Sequence, residues 1–321
     1  MKSHKTKIST LVSAMALAGA VTLPTMALAE EPATNFNIFL RLQGELVSAD
    51  SYGDDGVQFG DGWRFGQSDS GGWGGLFFNI SHQINENNKA VARYSRNING
   101  KGTAGDRDRW IGVDSKTFGR LTFGRHNSVY KQSTLSWDPF LATFMQARGN
   151  QGLDGRTFGA GGFIDDSIDY SVAFSGIKLD AQVGIEDSDI AGSSADDGDH
   201  VVSLSLEVPV GPVQLLAAYI DASNYGTRPD DATATKLGAR FNSGPLTLSV
   251  QHEMRDEGML AGGEGYGDYT FASGSYKMGK WNHSLNIGQF SDDSGADNDG
   301  SYFAIGTRYT WTRIVALHFG Y

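Results

Sequence analysis

The segment Leu246-Thr247-Leu248-Ser249-Val250-Gln251 alternates apolar and polar side chains, and this two-residue period recurs along most of the chain. Successive side chains of a β-strand point to opposite faces, so each such segment has one apolar face and one polar face. Further segments of this kind lie at 36–43, 76–83, 177–186, 202–208 and 303–310. A soluble antiparallel sandwich alternates in the same way, so the period alone does not identify the fold.

The lengths of the connections decide between a sandwich and a membrane barrel. Very short connections alternate with long polar ones along the chain. The short connections lie at 85–88, 175–176, 211–212, 244–245 and 279–280, and the long ones at 49–72, 99–106, 187–199, 222–233, 255–266 and 291–300. Outer-membrane barrels have short turns on the periplasmic rim and long loops on the outer rim. The sequence therefore predicts an all-β fold, a transmembrane antiparallel β-barrel with an apolar outside and a wet inside.

The number of strands leaves two alternatives open. Fifteen strands can be counted, whereas a barrel built from hairpins with both ends on the periplasmic side needs an even number, about sixteen. Either one more strand lies within 56–68, or the chain stops one strand early.

An export signal precedes the barrel. Three lysines within the first seven residues are followed by an apolar stretch, 11–23, and by the small-x-small site Ala27-Leu28-Ala29. We predict a secretory signal peptide at 1–29 and an outer-membrane barrel domain at 30–321. The alternative, an N-terminal membrane anchor, is disfavoured because polar residues, glycine and proline interrupt a short apolar run.

Composition excludes several classes of function. The chain has no cysteine, which rules out disulfides and thiolate metal sites, and its seven histidines show no metal-ligand spacing. We therefore expect neither a metal nor a cofactor. The formal net charge of −11 becomes −14 once the signal lysines are removed, and this acidic balance argues against a nucleic-acid partner. The acidic loops predict a solvated rim, with divalent-cation bridging at the lipopolysaccharide surface as the alternative.

An ordered set of short motifs resembles a known family. The strand 109–113 (RWIGV) is followed by a turn, 117–119 (TFG), and by the strand 120–125 (RLTFGR). Further on come 166–170 (DSIDY) and a C-terminal alternation, 315–321, that ends in an aromatic residue. Together these segments resemble the trimeric general-diffusion porins of Gram-negative bacteria.

The resemblance implies a location, partners and a function. A porin of this kind is a homotrimer in the outer membrane, in contact with lipid and lipopolysaccharide, and is inserted by the barrel-assembly machinery, which would read the C-terminal Tyr321. It forms a water-filled channel for passive diffusion of small hydrophilic solutes and is not an enzyme. Its long third loop, here 127–164, folds into the barrel and constricts it.

Candidate constriction residues follow from strand parity. If Trp110 and Gly112 face lipid, Arg107 and Arg109 point inward, and Arg93 points inward on the preceding strand. The resemblance makes these arginines the basic wall opposite the third loop. Rim solvation or a lipopolysaccharide contact is the alternative for each of them.

The third loop would supply the opposite charges. Asp138 and Asp154 are the expected acidic counterpart, and Arg156 lies near the return of the loop. The segment Trp137-Asp138-Pro139-Phe140 is the nearest match to the acidic Pro-Glu-Phe element of the family. The alternative role for Asp138 is to cap a short helix over 140–148.

Other functions are compatible with an exported β-protein. A channel selective for sugars or anions would show aromatic tracks or a dense basic cluster in the lumen. A barrel enzyme would need a catalytic cluster, and His126-Asn127-Ser128 is the one candidate. A soluble exported β-protein would be extracted without detergent. For a porin, the acidic loops favour weak cation selectivity.

Overall fold

The computed structural model describes residues 33–49, 62–66, 74–98, 106–141, 143, 145–147, 163–185, 200–223, 232–256, 267–293, 299–312 and 315–320. The predicted signal peptide lies outside these residues, as do Asp154, Arg156 and Tyr321. All strands belong to the compact unit Thr34–Tyr321.

The described residues form seventeen strands, one short helix and one 3₁₀ turn. The strands are β1 (Thr34–Arg41), β2 (Glu45–Ala49), β3 (Gly62–Gly66), β4 (Gly74–Gln83), β5 (Asn88–Ile98), β6 (Asp106–Ser115), β7 (Gly119–Asn127), β8 (Phe163–Phe174), β9 (Ile177–Ile185), β10 (His200–Val210), β11 (Val213–Ser223), β12 (Ala232–Ser243), β13 (Leu246–Asp256), β14 (Gly267–Met278), β15 (Trp281–Asp292), β16 (Gly300–Thr310) and β17 (Ala316–Gly320). Helix α1 (Val129–Thr134) and the 3₁₀ turn Leu135–Trp137 follow β7. Within the described ranges, no helix has the length and apolar character needed to cross a membrane.

Fifteen of the strands form one antiparallel sheet in chain order, which confirms the count made from the sequence. The strand expected within 56–68 exists as β3, but it pairs with β2 in a separate two-stranded sheet. Because neighbouring strands alternate in direction, the first and the last strand of the large sheet run the same way.

The distribution of polar and apolar side chains on the sheet is the reverse of that in a soluble protein. Outward side chains are large and apolar, and Ile38 and Ile111 are 66% and 67% exposed. Inward positions of the same sheet hold buried polar side chains, such as Gln182, Ser203 and Asn286. Water would disfavour so large an apolar surface, whereas hydrocarbon covers it without penalty. This distribution is that of a membrane-spanning β-barrel, as the sequence predicts.

Short turns close the predicted hairpins. Gly211, Gly244 and Gly279 have φ angles of 58°, 55° and 61°. Residues with a side chain rarely adopt this left-handed backbone conformation, whereas glycine adopts it without a steric penalty. These turns fix the register of the hairpins β10–β11, β12–β13 and β14–β15.

Candidate pore constriction

The segment after β7 enters the barrel and begins by hydrogen-bonding to its inner wall. The backbone N–H of Val129 donates to the side-chain oxygen of Gln182 in β9 at 3.1 Å. The N–H of Tyr130 donates to Ser203 Oγ in β10 at 2.8 Å. The first amides of a helix lack partners within it, and here inward polar side chains of the strands supply the acceptors.

The ring of Tyr130 packs against an apolar part of the inner wall. It joins a buried cluster with small and branched side chains of β8 and β10–β12, namely Ile164, Val201, Ala218, Ile220, Ala222 and Ala234. Burial, and next the negative charge of Glu253, raises the pKa of the Tyr130 phenol well above its ordinary value. The phenol therefore stays neutral at ordinary pH.

The loop continues across the following strands in the same manner. The carbonyl oxygen of Trp137 accepts from Ser249 Oγ in β13 at 3.4 Å and from Ser273 Oγ in β14 at 2.7 Å. Asn286 Nδ2 in β15 donates to Asp138 Oδ1 at 2.7 Å. Further along, the Tyr302 hydroxyl of β16 donates to the carbonyl oxygen of Met145. The loop thus lines the inner wall from β9 to β16.

Glycines in the wall make room for the aromatic side chains of the loop. A Cβ atom added at Gly238 would lie 2.7 Å from Trp137 Cζ3, and one added at Gly306 would lie 2.8 Å from Phe140 Cε1. Both separations are shorter than real side chains allow. The loop therefore rests directly on the backbone of β12 and β16.

Arg93 and Arg107 lie on the inner face of the strands that this part of the loop leaves uncovered. Arg107 Nη1 donates to Asn97 Oδ1 in β5 at 3.0 Å, and its guanidinium carbon lies 5.9 Å from the Phe77 ring centroid and 5.1 Å from that of Phe163. Arg93 Nε lies 3.5 Å from Asp108 Oδ2, and its guanidinium also covers the Phe77 ring, at 5.1 Å. Cation–π contacts hold both guanidinium groups in place, together with an ion pair at Arg93 and a hydrogen bond at Arg107.

The prediction that Arg109 points inward is wrong. Its neighbour Asp108 is 7% exposed on the inner face, whereas Ile111 is 67% exposed on the outer face, and Arg109 shares the parity of Ile111. Trp110, expected to face lipid, stacks on the buried His126 ring with centroids 5.9 Å apart. The parity of β6 is therefore the reverse of the predicted one.

Arg107 nevertheless reaches the inner face because the pairing of β5 with β6 is irregular. The register shifts by one residue between Tyr94 and Arg96, opposite the start of β6. A bulge of this kind changes the direction of nearby side chains. Beyond it, Arg107 contacts Asn97 and Phe77, which lie on the inner face.

Asp138 lies on the wall side of the loop. Its side chain is buried and accepts three hydrogen bonds, from the N–H groups of Phe140 and Ala147, both at 2.8 Å, and from Asn286. This arrangement favours the capping alternative, although none of the described residues within the expected helix, 140–148, is helical. The other two predicted loop charges, Asp154 and Arg156, lie outside the described residues.

Sequence reasoning missed the charged residues beneath the loop. Lys236, Glu253 and Arg255 are almost fully buried on the inner face of β12 and β13. The alternation of Lys236 with the outward Leu237 indicates an inward position, but the sequence does not show which segment covers it. Arg41 was missed as well. It lies on the same face of β1 as Phe39, whose ring packs on the buried Phe77, and it donates to Gln43 Oε1 at 2.6 Å.

The residues of the one enzyme-like cluster have packing roles. Both ring nitrogens of His126 hydrogen-bond to wall hydroxyls, to Thr122 Oγ1 and to Ser167 Oγ, each at 2.9 Å. Ser128 Oγ accepts from the N–H three residues later at 3.2 Å and so caps α1. Among the described residues, no group of three or more histidine, aspartate or glutamate side chains is placed to hold a metal ion.

A membrane-spanning sheet with a loop laid along its inner wall is the architecture of a porin. The family model of Gram-negative porins matches residues 13–321, and the chain therefore belongs to this family. Membership places the protein in the outer membrane of a Gram-negative bacterium.

Individual proteins show the same likeness. An outer membrane porin protein of Bordetella pertussis is 26% identical over 226 residues, which span 66% of this chain and 56% of the relative. The anion-selective porin of Comamonas acidovorans has a TM-score of 0.70 at 18% identity, over 90% of this chain and 88% of that one. OmpF of Salmonella typhi, in complex with daunomycin, has a TM-score of 0.62 at 11% identity, over 90% and 89%. At these identities the two structures show that the fold is shared.

Proposed function

We propose that the protein forms a water-filled channel through the outer membrane, by which small hydrophilic solutes and ions diffuse passively. The observation that supports this most is the inverted distribution of side chains, polar inside and apolar outside. A barrel of about fifteen strands is wide enough to enclose an aqueous lumen, and an inward loop narrows it. Diffusion through such a lumen needs neither a cofactor nor a catalytic group. We therefore propose that the protein is not an enzyme.

The narrow part of the channel lies between the third loop and the wall that holds Arg93 and Arg107. The loop sets the size limit because it is fixed to the wall at several points from β9 to β16. The arginines act on charge, since a positive surface along one side of a narrow lumen concentrates anions and repels cations. Asp154 and Arg156, which belong to the same loop, are proposed to complete the charge pattern.

Single-channel recording in planar bilayers tests the proposal. Folded protein should insert to give large, stepwise and poorly discriminating conductance. Folding is monitored independently, because an intact barrel migrates differently on a gel before and after heating. Protein that shows this heat-dependent shift but produces no conductance would overturn the proposed function.

An anion-preferring channel is the second candidate, and the geometry at Asp138 favours it. The carboxylate of Asp138 faces the wall and is engaged by three N–H donors, whereas the guanidinium groups of Arg93 and Arg107 lie on the inner face of the sheet. The acidic loops instead support weak cation preference. The reversal potential in a salt gradient distinguishes the two by its sign.

The assembly and its partners complete the proposal. We propose a homotrimer, cleaved after Ala29, that contacts lipid and lipopolysaccharide and is inserted by the barrel-assembly machinery through its C-terminal strand. The large exposed apolar surface supports contact with lipid, and one similar structure, OmpT of Vibrio cholerae, is described in a trimer form. Chemical cross-linking in native membranes should give a ladder that ends at three copies.

A further inference from the structure

A cluster of buried charges lies behind helix α1. Lys236 in β12 faces Glu253 in β13 across the sheet, and Lys236 Nζ lies 3.6 Å from Glu253 Oε2. Arg255 Nε lies 2.5 Å from the other carboxylate oxygen, and the Arg255 guanidinium covers the Tyr269 ring at 4.3 Å. The side chains of Lys236, Glu253 and Arg255 are at most 1% exposed. Burying three charges is costly unless each one is paired.

Lys236 connects this cluster to the loop. Its Nζ donates to the carbonyl oxygen of Tyr130 and to Thr134 Oγ1, both at 3.2 Å, and it lies 4.0 Å from the centroid of the Tyr130 ring. An ammonium group has three N–H donors. Two of these N–H donors are directed to α1, and the third can point towards Glu253. The same ammonium group therefore binds both the helix and the wall.

We propose that Lys236 is the positioning residue of the constriction: its buried ammonium group holds α1 against β12 and β13 and thereby fixes how far the third loop extends into the lumen. This inference rests on the proposed channel function. It assigns to Lys236 a role in the width and steadiness of the pore and not in its choice of ions, because the charge is covered by the loop and shielded from the lumen.

The contacts of Lys236 distinguish this role from a contribution to barrel strength. The neighbouring strands β12 and β13 are already joined by a full ladder of backbone hydrogen bonds from Thr233 to Ser243. Two hydrogen bonds of Lys236 go to loop residues more than one hundred positions away in sequence. Removing its charge should therefore loosen the loop before it weakens the barrel.

Single-channel recording of the Lys236→Met variant tests the proposal, with Lys178→Met as the matched control. Lys178 lies on the same inner wall, but its partners Asp180 and Glu207 belong to the wall and not to the loop. We expect Lys236→Met to give a larger mean conductance, with open-channel current noise raised about twofold or more because the loop opens locally. Lys178→Met should keep the noise of the wild type and shift the reversal potential towards cations.

A labelling experiment tests the same inference without using conductance. The chain has no cysteine, so Ser133→Cys introduces a single thiol into α1, at a position 9% exposed. A membrane-impermeant maleimide should label this thiol slowly in the otherwise native protein. It should label it about tenfold faster when Lys236→Met is added, because local opening exposes the helix.

The outcomes separate the inference from the proposed function. If the native protein does not conduct, the proposed function fails, and the labelling rates still decide whether Lys236 holds the loop. If the native protein conducts but Lys236→Met has native noise and native labelling, the inference is wrong. Loss of the heat-dependent gel shift in Lys236→Met would also overturn it, because the lysine would then support the barrel itself.

Discussion

Two groups of cations on the inner wall differ in whether the described part of the third loop covers them. The side chain of Arg93 is 33% exposed and pairs with Asp108 on the uncovered part of the wall, whereas the side chain of Lys236 is 1% exposed beneath α1. Both residues occupy inward positions of a polar strand face. An inward charge therefore acts on solutes where the lumen reaches it, and acts on the loop where the loop seals it from water.

The largest loss of stability is expected on substitution of Asp138, whose carboxylate holds the third loop against the wall. Asp138→Ala leaves buried N–H groups of Phe140 and Ala147 without an acceptor, and should lower the free energy of unfolding by about 2–4 kcal/mol. Urea unfolding of the folded protein in detergent micelles measures this. Asp138→Asn, which keeps one acceptor oxygen, should lose less. Equal stability of all three proteins would contradict the role assigned to this carboxylate.

A smaller effect is expected where the loop rests on glycine. Gly238→Ala places a methyl group against the Trp137 ring and should cost about 1–3 kcal/mol of stability, with an increase in current noise. Gly274→Ala is the control. An added Cβ at Gly274 meets only the end of the flexible Leu248 side chain, at 3.3 Å, and should leave the current unchanged. If the two variants behave alike, the close contact of Trp137 with the wall does not position the loop.

Substitution of Arg93 and Arg107, which the described part of the loop leaves uncovered, should change ion selectivity and not stability. The double variant Arg93→Gln with Arg107→Gln should change the permeability ratio by about twofold or more towards cations, because it removes positive potential from the lumen. Arg109→Gln, which removes one positive charge from the outward face of β6, should leave the reversal potential in a salt gradient unchanged. A shift with Arg109→Gln as large as with the double variant would contradict the parity of β6.

The sequence predicts the parts of this structure that depend on local pattern. Alternation along β13 gives the strand and its two faces, and short glycine turns give the hairpins. It fails at Arg109 because it places Trp110 on the lipid-facing side of β6, whereas Trp110 packs on His126 and Ile111 faces outward. The register shift, in which Arg107 and Asp108 of β6 lie opposite the single residue Ser95 of β5, depends on strand pairing and is not visible in the sequence of β6.

The role of Lys236 depends on a contact that no local pattern contains. Its acceptor Tyr130 is 106 positions away, so the strand shows an inward lysine but not the helix that covers it. Asp138 illustrates the same limit. The sequence identifies an acidic loop residue beside proline, and only the folded loop shows that its carboxylate faces Asn286 and not the lumen.

Accessibility along β13 tests the central claim, that polar faces of the strands line the interior and apolar faces meet lipid. Single cysteines at Leu248, Ser249, Val250 and Gln251 can carry spin labels without interference, because the chain has no cysteine of its own. In lipid bilayers, collisions with dissolved oxygen should be frequent at Leu248 and Val250 and rare at Ser249 and Gln251, with a period of two residues. Frequent oxygen collisions at Ser249 and Gln251 instead, or contact of Leu248 and Val250 with a water-soluble nickel reagent, would contradict the account.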